Sequence, residues 1–96
     1  MLNLLRFNPQ GGAEEYARYG TAAAPHLRHS GATLNYIGEV AATIIGGEDW
    51  DRIILVEYPS KVAFMEMFSN PDYPGEIRAS ALADSRLYCT QKATKS

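Results

Sequence analysis

The chain has 96 residues, of which 46% are hydrophobic and 21% charged, with a formal net charge of −2; this fits one soluble globular domain with a small core. No basic block occurs, which argues against nucleic acid as a partner, because neutralising phosphates takes clustered Lys and Arg. No apolar run nears the roughly 18 residues of a membrane span, residues 1–12 lack the pattern of a signal peptide, and the single cysteine, Cys89, has no partner for an internal disulfide, so a cytoplasmic protein without membrane association is expected.

Leu2 to Phe7 reads as a first strand, ended by the turn residues Asn8-Pro9-Gln10-Gly11-Gly12. A helix follows from Ala13 to about His29. Its stripe is Ala13, Tyr16, Ala17, Gly20, Ala24 and Leu27, with Glu14 and Glu15 at its start and Arg28 and His29 at its end. Gly31 stops it. Pro25 lies inside and should kink it, either to wrap the helix over a sheet or to open a pocket wall. Thr33 to Ile45 is a long strand pattern with a bend or bulge expected near Gly38, and Gly46 to Asp49 turns the chain back into the next strand as a hairpin.

That next strand, Arg52 to Tyr58, is the most informative. Alternation puts Ile53, Leu55 and Glu57 on one face and Ile54, Val56 and Tyr58 on the other. Both faces are largely apolar, so both should be covered. Pro59 ends the strand and Ser60 opens a helix reaching about Asn70 before Pro71. A short helical piece spans Glu76 to Leu82, with Ile77 and Ala81 inward. Leu87 to Gln91 is the last strand, and 92–96 a tail.

The order strand, helix, strand, strand, helix, strand predicts an α+β, ferredoxin-like βαββαβ sandwich over a single domain, 1–96. It has a four-stranded antiparallel sheet, helices on one face, and the first and third strands at the centre. The bare face should be covered by a second copy of the chain, a homodimer enclosing a chamber between the sheets.

Several stretches carry a family resemblance. They are Ala24-Pro25, Arg28-His29-Ser30-Gly31, Val56-Glu57-Tyr58-Pro59-Ser60, Phe64, Ser69-Asn70-Pro71-Asp72-Tyr73, Arg78 and Ala83-Asp84-Ser85. In order and spacing the chain resembles the dimeric α/β-barrel superfamily and, within it, domain-of-unknown-function family thirteen-thirty. That family often has Gly-Gly at Ser30-Gly31 and Gly-Ala at Ser80-Ala81, departures that touch a turn and a helix packing position. The resemblance implies a homodimer with two sheets face to face and no known activity. Superfamily relatives include cofactor-free oxygenases, isomerases, lactone-forming and dehalogenating enzymes, haem-linked proteins and stress-responsive proteins.

Glu39 and Glu57 are carboxylates inside strand patterns. Each is either a desolvated general base or one half of an ion pair with Arg6, Arg52 or Arg86. His26, beside Pro25, is an acid or base near neutrality, or simply packed. His29 reads as a helix C-terminal cap, and the two histidines without a third ligand make a poor metal site. Tyr16 falls on the core stripe with its hydroxyl at the edge. Tyr19 lies off the stripe, placed to line a pocket, and Tyr73 marks a pocket rim. Trp50 is a dimer anchor or a lid. Arg78, flanked by Ile77 and Ala79, needs a carboxylate, internal or on a ligand. Cys89, sharing parity with Leu87, reads as buried and inert.

These residues support two functions. One is a cofactor-independent enzyme moving a proton with Glu39 or His26 on a small aromatic or carboxylated metabolite, by isomerisation, cyclisation or decarboxylation. Tyr16, Tyr19, Trp50, Tyr73 and Arg78 would hold that metabolite, and no metal or cofactor is expected. The other is a non-catalytic homodimer that binds a ligand or serves as a structural part.

Overall fold

The computed structural model describes residues 1–93. The elements are β1 (Leu2–Phe7), α1 (Gly12–Ser30), β2 (Thr33–Glu39), β3 (Arg52–Glu57), α2 (Lys61–Ser69), α3 (Gly75–Ala81) and β4 (Leu82–Tyr88). The strands lie in the order β2-β3-β1-β4 and every neighbouring pair is antiparallel. This is the expected ferredoxin-like arrangement, with β1 and β3 central.

Local chemistry explains the element ends. The Asn8 carbonyl accepts from the Gly12 N–H at 2.9 Å and the Asn8 N–H donates to the Ala81 carbonyl at 2.9 Å. The start of α1 is thereby pressed against the end of α3, and a β-carbon at Gly12 would run into the Ala81 carbonyl. α1 continues through Pro25 and ends at Gly31, whose left-handed backbone (φ 79°) lets its N–H reach the Arg28 carbonyl. Gly31, rather than His29, is the cap. Ser60 caps α2 by accepting from the Ala63 N–H at 3.0 Å.

The sheet has two unlike faces. Leu5, Ile54 and Val56 are buried against Tyr16, Tyr19 and Ala23 of α1 and Ala81 of α3, and Leu5 is fully buried. The opposite face carries Leu2 and Leu4 of β1 and Ile53 and Leu55 of β3, all half-buried, with Tyr36 and Tyr88 exposed beside them. Within the described chain nothing packs over this second face as α1 does over the first.

Four expectations need correction. β2 stops at Glu39 instead of running to Ile45. Beyond it only the Val40 N–H still reaches the Asp51 carbonyl, at 2.9 Å, and Ile44 and Ile45 are 88% and 94% exposed. These residues have strand-like side chains but no strand to pair with, because β3 begins at Arg52. The irregularity in β2 is at Asn35, where the register shifts between Leu34 and Tyr36. Gly38 instead makes room for the Tyr36 ring, which lies across it.

The last strand occupies Leu82–Tyr88 and not Leu87–Gln91, since the backbone turns extended at Leu82 as soon as α3 ends. Cys89 therefore falls past the strand and is exposed, not buried. Of the tail expected at 92–96, residues 94–96 lie outside the described residues.

Candidate functional site

Between α1 and the buried face of the sheet lies a pocket of about 440 Å³, within the range of small-molecule sites. It forms inside one chain, between helices and sheet. Most of its wall is apolar, from Leu27, Leu34, Ile37, Ile54, Val56 and Phe68. A larger cleft of about 670 Å³ runs past Glu57, Lys61 and the segment Cys89–Lys92. That cleft carries exposed groups of both charges, shares Tyr58 with the smaller pocket, and contains none of Tyr16, Tyr19, Tyr73 and Arg78.

The polar part of the pocket is built from three elements. α1 supplies Tyr16 and Tyr19, one turn apart on its inner face, with ring centroids 5.1 Å apart. The loop before α3 supplies Tyr73, whose hydroxyl meets that of Tyr19. α3 supplies Arg78. Its Nη2 donates to Asn3 Oδ1 at 3.1 Å, while the Asn3 amide nitrogen donates to the Ile54 carbonyl at 3.3 Å. This second bond fixes which way the Asn3 amide faces, and so aims its oxygen at the guanidinium. The sequence reading missed Asn3, and the signal that could have found it is that it is the single polar uncharged residue in LNLLRF, on the same strand face as Leu5.

Arg78 is half-buried, and among the described residues no carboxylate stands within ion-pair distance of it. The pocket wall also carries Arg28 and Arg52, and no Asp, Glu or His among the described residues. Arg28 is exposed and Arg52 is ion-paired with Glu39, so among the described residues Arg78 is the half-buried cation of this wall without a carboxylate beside it.

The phenols respond to this setting. Burial raises the pKa of Tyr16, Tyr19, Tyr58 and Tyr73 above the usual 10.0, and the Arg78 guanidinium opposes the rise at each of them. Tyr58 is pushed up to about 12. Burial wins at every one of these positions because taking a phenolate out of water costs more than the cation returns. The hydroxyls therefore stay protonated at neutral pH and present themselves as donors.

The structure gathers Tyr16, Tyr19, Tyr73 and Arg78 into this pocket. The remaining expected site residues lie elsewhere. Glu39 is at the edge of the sheet, 65% exposed, with its Oε1 2.7 Å from Arg52 Nη2 and 2.8 Å from Arg52 Nε. Arg52 itself stacks on the Phe7 ring, 4.9 Å from its centroid. Glu57 accepts from the Asn35 amide at 3.0 Å.

His26 faces a separate outer cleft shared with His29, Glu66 and Asn70. Its ring stands edge-on to that of Tyr73, with centroids 5.9 Å apart. Trp50 sits on the other side of the sheet between Arg6 and Arg86, whose guanidinium carbons are 5.2 and 5.1 Å from its ring centroid. Arg6 also holds the Asp49 carbonyl through Nε and Nη2 at 2.9 and 2.8 Å, which ties the loop carrying Trp50 to β1.

Among the described residues no cluster of three or more His, Cys, Asp or Glu could hold a metal ion, and no helix is long and apolar enough to cross a membrane.

No family model matches the chain, and no curated protein matches it. Solved structures do. The crystal structure of the RPA0582 protein of unknown function from Rhodopseudomonas palustris aligns at a TM-score of 0.84 and 37% sequence identity, over 91% of this chain and 75% of that one. The chain belongs to the family of RPA0582. A crystal structure of methylated RPA0582 aligns at a TM-score of 0.80 and 34% identity, over 97% of this chain and 81% of that one. Since RPA0582 is itself of unknown function, the likeness fixes fold and family, and an activity has to be argued from the pocket.

Proposed function

We propose that this protein binds a small organic carboxylate with an apolar or aromatic body in the pocket between α1 and the sheet. The observation that carries this is Arg78, a half-buried cation with Asn3 as its hydrogen-bonded side-chain partner and no acid on the surrounding wall. A guanidinium offers several donors in a planar fork suited to a carboxylate. The leucines, isoleucines and phenylalanine opposite would take the body of the ligand out of water.

Binding is favoured over proton transfer by Glu39 and His26, because neither lines the pocket. A catalytic version of the site would have to use the protonated tyrosines as hydrogen-bond donors to a developing oxyanion. The reading also includes membership of family thirteen-thirty in the dimeric α/β-barrel superfamily, a homodimer through the uncovered sheet face, and a reducing cytoplasmic setting for the exposed Cys89 thiol.

The test is titration of the purified protein with 4-phenylbutanoate and its uncharged amide, followed by NMR. The acid should bind and the amide should not. Arg78→Met, which keeps the apolar stem, should weaken the acid by tenfold or more, in line with about 1.5–3 kcal/mol for a hydrogen bond to a charged group. Equal binding of acid and amide, or unchanged affinity in the variant, would overturn the proposal.

A further inference from the structure

Arg78 leaves the hydroxyls of the pocket unexplained, and the Tyr19–Tyr73 pair is the one whose geometry fixes what is left over. Two hydroxyls bonded to each other use one hydrogen between them. Whichever tyrosine donates, the hydrogen of the other remains. Neither hydroxyl has a further hydrogen-bond partner among the described residues, and both tyrosines line the same pocket as Arg78. A donor kept in a largely apolar recess is best used by an acceptor on whatever fills it.

Resting on the carboxylate reading, we propose that the ligand is an oxo acid: its carboxylate lies on Arg78, and its ketone oxygen accepts the spare hydroxyl hydrogen of the Tyr19–Tyr73 pair. The apolar wall holds the remaining carbon skeleton. Burial keeps both phenols protonated, which suits a neutral carbonyl acceptor. A plain carboxylate of the same skeleton leaves the hydroxyl unmet in a place where water is partly excluded, and this difference discriminates between the two.

The experiment compares three acids of one skeleton: 4-phenylbutanoate, 2-oxo-4-phenylbutanoate and 4-oxo-4-phenylbutanoate. Affinities are measured on the wild type and on the double variant Tyr19→Phe/Tyr73→Phe, with the fold of the variant checked by circular dichroism. At least one oxo acid should bind the wild type about tenfold tighter than the parent acid, the equivalent of one hydrogen bond. That advantage should vanish in the double variant, where the oxo acids and the parent acid should bind with equal affinity.

A second readout needs no variant: the infrared ketone stretch of the bound oxo acid should fall below that of the free acid. If the parent acid binds through Arg78 and no oxo acid binds tighter, the oxo-acid proposal fails and the carboxylate reading stands. Retention of the advantage in the folded double variant, or an unshifted ketone stretch, also overturns it. Failure of all three acids to bind removes both.

Discussion

Tyr19 and Tyr73 are separated by 54 residues and meet hydroxyl to hydroxyl, the Tyr73 ring standing edge-on to Tyr19 with centroids 6.0 Å apart. The contact ties the loop before α3 to the middle of α1, and so holds two walls of the pocket at a set distance. Phe68 packs on the same Tyr73 ring at 5.5 Å, which brings the end of α2 into the arrangement. Removing the Tyr73 hydroxyl alone, in Tyr73→Phe, should cost about 1 kcal/mol of stability. Tyr73→Ala, which also deletes a ring that these neighbours lean on, should cost about 2–4 kcal/mol. Urea unfolding of both variants measures the difference.

Alkaline pH should weaken the fold through its buried phenols. Tyr16, Tyr19, Tyr58 and Tyr73 have folded-state pKa values above the ordinary 10.0. In the unfolded chain they ionise near that ordinary value, whereas the native state keeps their protons. Their contribution is therefore fully present below about pH 10 and shrinks as pH rises through the folded-state values. Phenolate absorbance of the native protein should lag behind that of the urea-unfolded chain over the same titration. Coincident curves would show that these hydroxyls are not protected from water.

Glu39→Gln should change little. The Glu39–Arg52 pair is at the sheet edge with the carboxylate largely exposed, and pairs of this kind contribute about 0–1 kcal/mol. Because Glu39 does not line the pocket, affinity for 4-phenylbutanoate should stay within about twofold of the wild type, as measured by the same titration. A loss comparable to that of Arg78→Met would place Glu39 in the binding machinery after all.

The uncovered sheet face and the pocket are on opposite sides of the sheet, so assembly and binding should be separable. Ile53 and Leu55 occupy the centre of that face, and the proposed homodimer would bury them. Sedimentation of the wild type at micromolar concentration should show a dimer, and Ile53→Asp a monomer that still binds 4-phenylbutanoate. A wild-type protomer that stays single would remove the dimer without touching the pocket.

Much of this architecture was legible because hydrophobic alternation and helical spacing are read over several residues at once. The run LNLLRF gave β1, the extent of α1 was visible, and the two-faced β3 placed itself at the centre of the sheet; the stripe of α1 was not, since Ala13, Ala17 and Gly20 are exposed and the buried side is Gly12, Tyr16, Tyr19 and Ala23. The failures came where partners decide. Nothing in Val40–Ile45 says that β3 starts too late to pair with it, and the polar stretch Ala83–Arg86 hid β4 behind residues with low strand preference.

The site was legible to the same degree. Tyr16, Tyr19, Tyr73 and Arg78 carry chemistry that large apolar surroundings make conspicuous, and they converge. Glu39 was placed by strand parity, but the shift at Asn35 and its position at the strand's last residue leave it at the edge. Tyr58 and Asn3 were missed as site residues, since their roles come from which strand face meets α1. Whether Arg78 had an internal acid was open in the sequence, because an ion pair across 75 residues, the separation at which Arg78 finds Asn3, leaves no local trace.

The most direct measurement is a crystal structure of the wild-type protein with 4-phenylbutanoate at saturation. The carboxylate should lie against the Arg78 guanidinium with the phenyl ring among Leu27, Ile37 and Phe68. An empty pocket at saturating ligand, or a carboxylate held by other side chains with Arg78 turned away, would contradict the account.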